Sequence, residues 1–319
     1  MNKIHRTPLY VAMLTFFSLQ ALFAQIPPGY YNSADGLNGT ALKSALNSII
    51  KGHTKFPYSS GGTDVWDILK ETDKDPNNPA NVILIYTGES VNGAQEYNNG
   101  NGWNREHVWA KSHGNFGTSP GPGTDIHHLR PANIQVNADR GNKWFGNCSV
   151  PHFYGGVATG NYFDDVKHLW QPRAEVKGDV ARMIFYMATR YEGQNGEPDL
   201  EVIDYLPANN NTADPVHALL SNLLEWHLED PVDAWERNRN DIIYYNYQQN
   251  RNPFIDKPEY AQLIWGDTAT TSISYESLNQ PKELLKIIDM TGREVRYKSN
   301  TLLIYIYSDG TREKKIIIE

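Results

Sequence analysis

Residues 104–146 read NREHVWAKSHGNFGTSPGPGTDIHHLRPANIQVNADRGNKWFG. Histidines, carboxylates, amides and arginines crowd around two short apolar stretches, which is more polar chemistry than a core requires. The set contains a base, hard oxygen donors for a cation, and cations for an anion. Those are the parts that metal-assisted phosphodiester hydrolysis needs. Glu106 and His107 are adjacent, and adjacent strand residues face opposite ways. They are therefore expected to share a site only where the backbone is irregular. Asp125–Leu129 (DIHHL) reads as a second short strand with Asp125 and His127 on one face. Pro131 then suits the first turn of a helix. On that helix Asn133 and Asn137 fall at i, i+4, with Arg140 three further on.

Outside this stretch, the chain has 319 residues with 8 Trp and 19 Tyr. That content supports one sizeable core plus a smaller module and argues against disorder over most of the length. The net charge of −8 argues against a uniformly basic nucleic-acid binder, so any polyanion site has to be local. Cys148 is the single cysteine. It excludes an intramolecular disulfide and is expected to be structural. Residues 1–24 carry early positive charge and then an apolar run that is short for a membrane span. They read as a signal peptide, and no stable membrane span is expected elsewhere.

Helical spacing predicts helices over 40–51, 63–71, 180–191, 215–228 and 232–248, and a buried strand over 81–86 (NVILIY). The FYMATRY and IIYYNY stripes are expected in the core. Arg182, Arg190, Arg237 and Arg239 are expected on solvated faces or in ion pairs, and His113 in a solvated loop. Residues 266–274 read as a linker. The stretch 275–319 shows strand patterns, with Asp309-Gly310 as a hairpin signal.

The ordered pattern E-H-V, D-x-H-x-L-x-P, V-N-x-D-R-x-N and F-G resembles the endonuclease I family of secreted or periplasmic nucleases, within the His-Me finger (ββα-metal) superfamily. FYMATRY, WHLEDPVDAWERNR and QNRNPFID extend that resemblance. It implies an α+β fold: a His-Me finger core with extra helices over 25–265, followed by a small all-β module. It also implies a Mg²⁺ ion (or Mn²⁺ or Ca²⁺) on Glu106 and Asn137, with His107 as general base. The implied substrate is DNA, with RNA also possible, cut with little sequence preference to leave 5′-phosphate ends. Many members carry an arginine in a longer insert after the EHV element. Here the insert is short and lacks it. Arg140, Arg130, Lys111 and Arg105 are the replacements considered, with Arg140 ranked first. Asp125, His127 or a backbone carbonyl would orient His107, and Asn142 would act as a cap or turn residue.

The C-terminal stretch resembles the sorting domain of the type IX secretion system. That implies the secretion machinery as a partner and export through the periplasm to the cell surface or medium. A monomer is expected. Two other readings stand beside the nuclease: a binder that keeps the fold without cleaving, and a zinc hydrolase using His107, His127 and His128.

Overall fold

The strand Trp103–His107 (β4) is the element around which the chain is arranged. A computed structural model describes residues 26–210, 212–266, 284–288, 293, 295, 303–307 and 312–315. The expected signal peptide, and the linker beyond Gly266, lie outside those residues.

Helix α1 (Gly39–Ile50) comes first. α2 (Val65–Thr72) starts at Asp64, whose carboxylate accepts from the backbone of Trp66 and Asp67 in a capping box. A small antiparallel sheet follows, in the order β1 (Lys74–Asp75), β2 (Asn78–Ile83), β3 (Ser90–Asn92). The run predicted as a strand over 81–86 leaves the ladder after Ile83. Leu84 and Gly88 close a turn there, and Ile85 donates its N–H to Pro131.

β4 pairs antiparallel with β5 (Leu129–Asn133) in an unbroken register, with Glu106 opposite Arg130 and His107 opposite Leu129. Two local expectations fail here. Residues 126–128 form a 3-10 turn rather than a strand, because the Asp125 carboxylate caps the His127 N–H at 3.0 Å. Pro131 lies inside β5 rather than opening a helix. The helix α3 (Ile134–Arg140) begins only after Asn133, whose side chain accepts from Gln135 and Val136. α3 packs against both strands.

A four-stranded sheet follows, in the order β6-β9-β8-β7 (Trp144–Phe145, Leu169–Gln171, Val157–Asp164 and Val150–Tyr154). α4 (Lys177–Arg190) is buried almost all round rather than on one face. It packs on α1, on the 126–128 turn and on α5 (Leu220–Glu229). The expected helix over 215–228 starts late because Val216–His217 (β11) pair parallel with Glu201–Val202 (β10). α6 (Ala234–Ile242) runs into a π-helical turn over Ile243–Gln248, where Ile243 is buried but Tyr245 is 51% exposed. The IIYYNY stripe is thus only partly core. α7 (Pro253–Asp256) and α8 (Glu259–Trp265) follow. At the C-terminus β12 (Leu284–Ile288), β13 (Leu303–Tyr307) and β14 (Arg312–Lys315) make an antiparallel sheet. The Asp309-Gly310 turn falls outside the described residues.

The β4–β5–α3 unit sits at the seam of two apolar clusters. One is built on α1, α4 and α5 and includes Val108, Ala132 and Val136. The other is built on α2 and β2 and includes Trp103 and Leu129. Strand alternation therefore gives β4 two distinct faces. Asp73 joins the elements below it, accepting from Arg130 Nε at 2.5 Å and Arg239 Nε at 3.3 Å while itself fully buried. Asp73→Ala leaves two guanidiniums without that carboxylate. A loss of about 3–5 kcal/mol is expected in urea denaturation, against near-neutral change for a substitution at exposed Lys167.

Candidate active site

Four side chains alternate along β4, and each finds a different environment. Asn104 and Glu106 face α3, while Arg105 and His107 face the opposite way, toward Tyr58. The Glu106 carboxylate is 2% exposed. Its Oε1 accepts from Tyr86 Oη at 2.7 Å and lies 3.1 Å from Arg140 Nη1. Burial pushes its pKa up, opposed by the Arg140 charge and the Tyr86 hydroxyl. A carboxylate in that state gains from a further cation. Asn137, one turn before Arg140, donates from Nδ2 to Asn104 Oδ1 at 2.9 Å. That bond turns its amide oxygen away from Asn104, available as a donor. A carboxylate and an amide oxygen are hard ligands, so the chemistry of these two donors suits a small divalent cation.

His107 is 7% exposed, and among the described residues its ring makes one hydrogen bond, between Nε2 and the Gly123 carbonyl at 2.9 Å. A carbonyl only accepts, so this nitrogen carries the proton and the other ring nitrogen holds the lone pair. Tyr58 stacks on the ring at 5.7 Å with planes 25° apart, and His128 meets it edge-on at 5.6 Å. Burial, then the charge of His128, hold His107 well below the ordinary histidine value. Its environment therefore favours the neutral imidazole.

The backbone irregularity expected at Glu106–His107 is absent. The register is continuous, and the acid and the base lie on opposite faces of β4. Among the described residues β4 has a strand neighbour on one side only. A ligand at the other edge would have side chains of both faces beside it.

Other expected site residues serve the scaffold. Arg140 is fully buried, donating to the carbonyls of His107 at 3.1 Å and Val108 at 2.8 Å as well as facing Glu106. It clamps the strand end and cannot reach an external phosphate, contrary to its first ranking. Arg130 is likewise excluded, being held by Asp73 and Asp179. Asp125 lies in the scaffold, accepting from Tyr186 at 2.8 Å, Tyr191 at 2.9 Å and Gln248 at 3.0 Å. Burial would raise its pKa, but His53, His127 and the Gln248 bond outweigh it and hold the carboxyl far below the usual range.

His127 meets Asn250 at 3.2 Å and His128 meets Pro122 O at 2.7 Å. With His107 on Gly123, the three rings are tied to separate partners and do not form the zinc set. Asn142 is a turn residue bonded to Ser112 and His168. His113 is not solvated. It is fully buried and stacked 3.8 Å from Trp144. Cys148 is half-buried with its thiol pushed up to about 12 by burial, which removes it as a nucleophile. Among the described residues, Glu192, Asp199 and Glu201 converge closely enough to hold an ion. Lys43 Nζ already bridges two of them, at 2.7 and 2.6 Å.

Residues 38–259 match the endonuclease I family. The chain belongs to that family. An extracellular ribonuclease of Bacillus amyloliquefaciens is 58% identical over 236 residues, covering 74% of this chain and 78% of the relative. Its counterpart in Bacillus subtilis is 58% identical over 238 residues, with the same shares of each chain. An extracellular deoxyribonuclease of Aeromonas hydrophila is 33% identical over 135 residues, 42% of this chain and 49% of the relative. This chain is thus an endonuclease and a hydrolase. Among the described residues no helix is long and apolar enough to cross a membrane.

Sequence reasoning missed Tyr86 and Tyr58; of the three orienting groups it offered for His107, the structure shows the backbone carbonyl, that of Gly123. Asn104 was legible, since it lies two residues from Glu106 and so on its face. The buried histidines give a pH prediction. His113, His127, His128 and His227 are each lowered by burial to about 4 from an ordinary 6.5. The unfolded chain binds protons there that the folded chain does not, so stability rises with pH across this window. The urea midpoint is expected to hold above about pH 6.5 and to fall steadily toward pH 4.

Proposed function

We propose that this chain is a secreted, divalent-cation-dependent endonuclease that hydrolyses phosphodiester bonds of RNA and DNA with little sequence preference. The observation that carries this reading is the β4–α3 crossing. It sets a neutral, carbonyl-oriented imidazole on one face and a carboxylate–amide pair on the other. The order of two antiparallel strands and a crossing helix is the one a ββα-metal, or His-Me finger, site requires. RNA is placed beside DNA because the relatives that match nearly the whole domain are named ribonucleases, whereas those named deoxyribonucleases match less of it.

In this proposal the free ring nitrogen of His107 takes a proton from water, while Gly123 keeps the ring oriented. A divalent cation on Glu106 and Asn137 would supply charge neutralisation at the departing 3′-oxygen. Tyr86 and Arg140 hold the Glu106 carboxylate in place. Water as nucleophile makes the 2′-hydroxyl unnecessary, so both nucleic acids serve. The N-terminal signal and the C-terminal sorting pattern supply two addresses, consistent with export by the type IX route and with relatives named extracellular. Magnesium is the proposed ion, with Mn²⁺ or Ca²⁺ as substitutes.

A plasmid and a structured RNA incubated with Mg²⁺ are expected to be cut, and EDTA to stop both reactions. His107→Ala is expected to lower the rate by roughly 10²–10⁴-fold, with the fold retained by circular dichroism. Products are expected to carry 5′-phosphate and 3′-hydroxyl ends. Cleavage that survives EDTA, or RNA products ending in 2′,3′-cyclic phosphate, would remove the water-and-cation mechanism. No cleavage at all would favour a binder on the same fold.

A further inference from the structure

In-line attack at a phosphodiester gathers negative charge on the equatorial, non-bridging oxygens. A cation fixed beside the nucleophile stabilises that charge most when no carboxylate already cancels it. The buried arginines around the site fail this condition. Arg130 and Arg239 share Asp73, Arg140 faces Glu106, Arg182 is paired with Glu236 and Arg190 with Glu197.

Arg105 differs. No carboxylate lies within ion-pair distance of it among the described residues. Its Nη1 donates to the Tyr58 carbonyl and to Ser59 Oγ, the latter at 3.2 Å. Its Nε is buried with no hydrogen-bond partner among the described residues. The guanidinium lies 3.4 Å over the Tyr58 ring and 3.9 Å over the Trp66 ring. Flat stacking of this kind orients an arginine without neutralising it.

Tyr58 is also the ring that stacks on His107. Arg105 and His107 are two residues apart on the same face of β4, about 6.6 Å along the strand. Tyr58 thus has the cation and the base as its two neighbours.

We propose that Arg105 is a catalytic residue that binds the non-bridging oxygens of the scissile phosphodiester, and that Tyr58 is the positioning residue that sets its spacing from His107. This rests on the endonuclease reading above and assigns the phosphate cation within it.

The test uses the full chain, saturating Mg²⁺ and a short fluorescent RNA. Arg105→Ala is expected to lower kcat by roughly 10²-fold with little change in KM, and millimolar methylguanidinium to restore part of it. Arg105→Lys is expected to recover less than that added ligand, because an ammonium lacks the planar fork. Tyr58→Ala is expected to lower kcat, and Tyr58→Phe, which keeps the ring, to restore most of the loss. Melting temperatures are read for every variant. An active Arg105→Ala enzyme overturns this assignment alone. So does a loss of kcat that tracks a loss of melting temperature and ignores methylguanidinium. An inactive wild type overturns both this assignment and the endonuclease reading.

Discussion

The guanidinium of Arg140 is the constraint on which the site depends. It is fully buried, and it faces the carboxylate of Glu106 while donating to the carbonyls of His107 and Val108. A buried cation of this kind is costly unless its donors are met; here the strand end and the carboxylate meet those of Nη1 and Nη2, while Nε has no hydrogen-bond partner among the described residues. The same contacts fix where α3 crosses β4. Asn137 lies one turn earlier on that helix and is thereby placed over Asn104, on the Glu106 face. The geometry of the oxygen donors is a consequence of where one arginine is buried.

Charge is distributed to the same end. The chain is acidic overall, and most arginines near the site are held by internal carboxylates. Arg105 remains without one, on the face that carries His107. The histidines around the base are held neutral by burial, so the low-dielectric interior does not fill with competing positive charge. In the proposed reading, Arg105 gives an acidic protein a small local cationic spot for a polyanion.

Much of this was legible in the sequence, and the failures have physical causes. The order of strand, turn, strand and helix could be read from residues 104–146, and the helices near 40–51, 65–72 and 180–190 from their spacing. The assignment of DIHHL to a strand failed because Asp125 competes for the backbone as a cap, a choice made by Gln248, Tyr186 and Tyr191 from distant parts of the chain. Arg140 looked like a phosphate ligand because helix phase places it on the right face. Phase cannot tell whether that face is covered. His113 sits among glycines and reads as solvated, yet Trp144, Asn142 and Thr212 enclose it. The requirement for an irregular backbone at Glu106–His107 was a sound inference from a mistaken premise. The two groups lie on opposite faces of a continuous strand, and the proposed reaction at the strand edge would use both.

The central claim is that a cation belongs to one face of β4 and the base to the other. The direct measurement is anomalous scattering from crystals of the His107→Ala protein soaked in Mn²⁺, compared with wild type. One Mn²⁺ peak is expected in both, coordinated by the Glu106 carboxylate and the Asn137 amide oxygen, and unchanged by loss of the imidazole. A peak bound to the His107 ring, or a peak at Glu106 that disappears when His107 is removed, would contradict it.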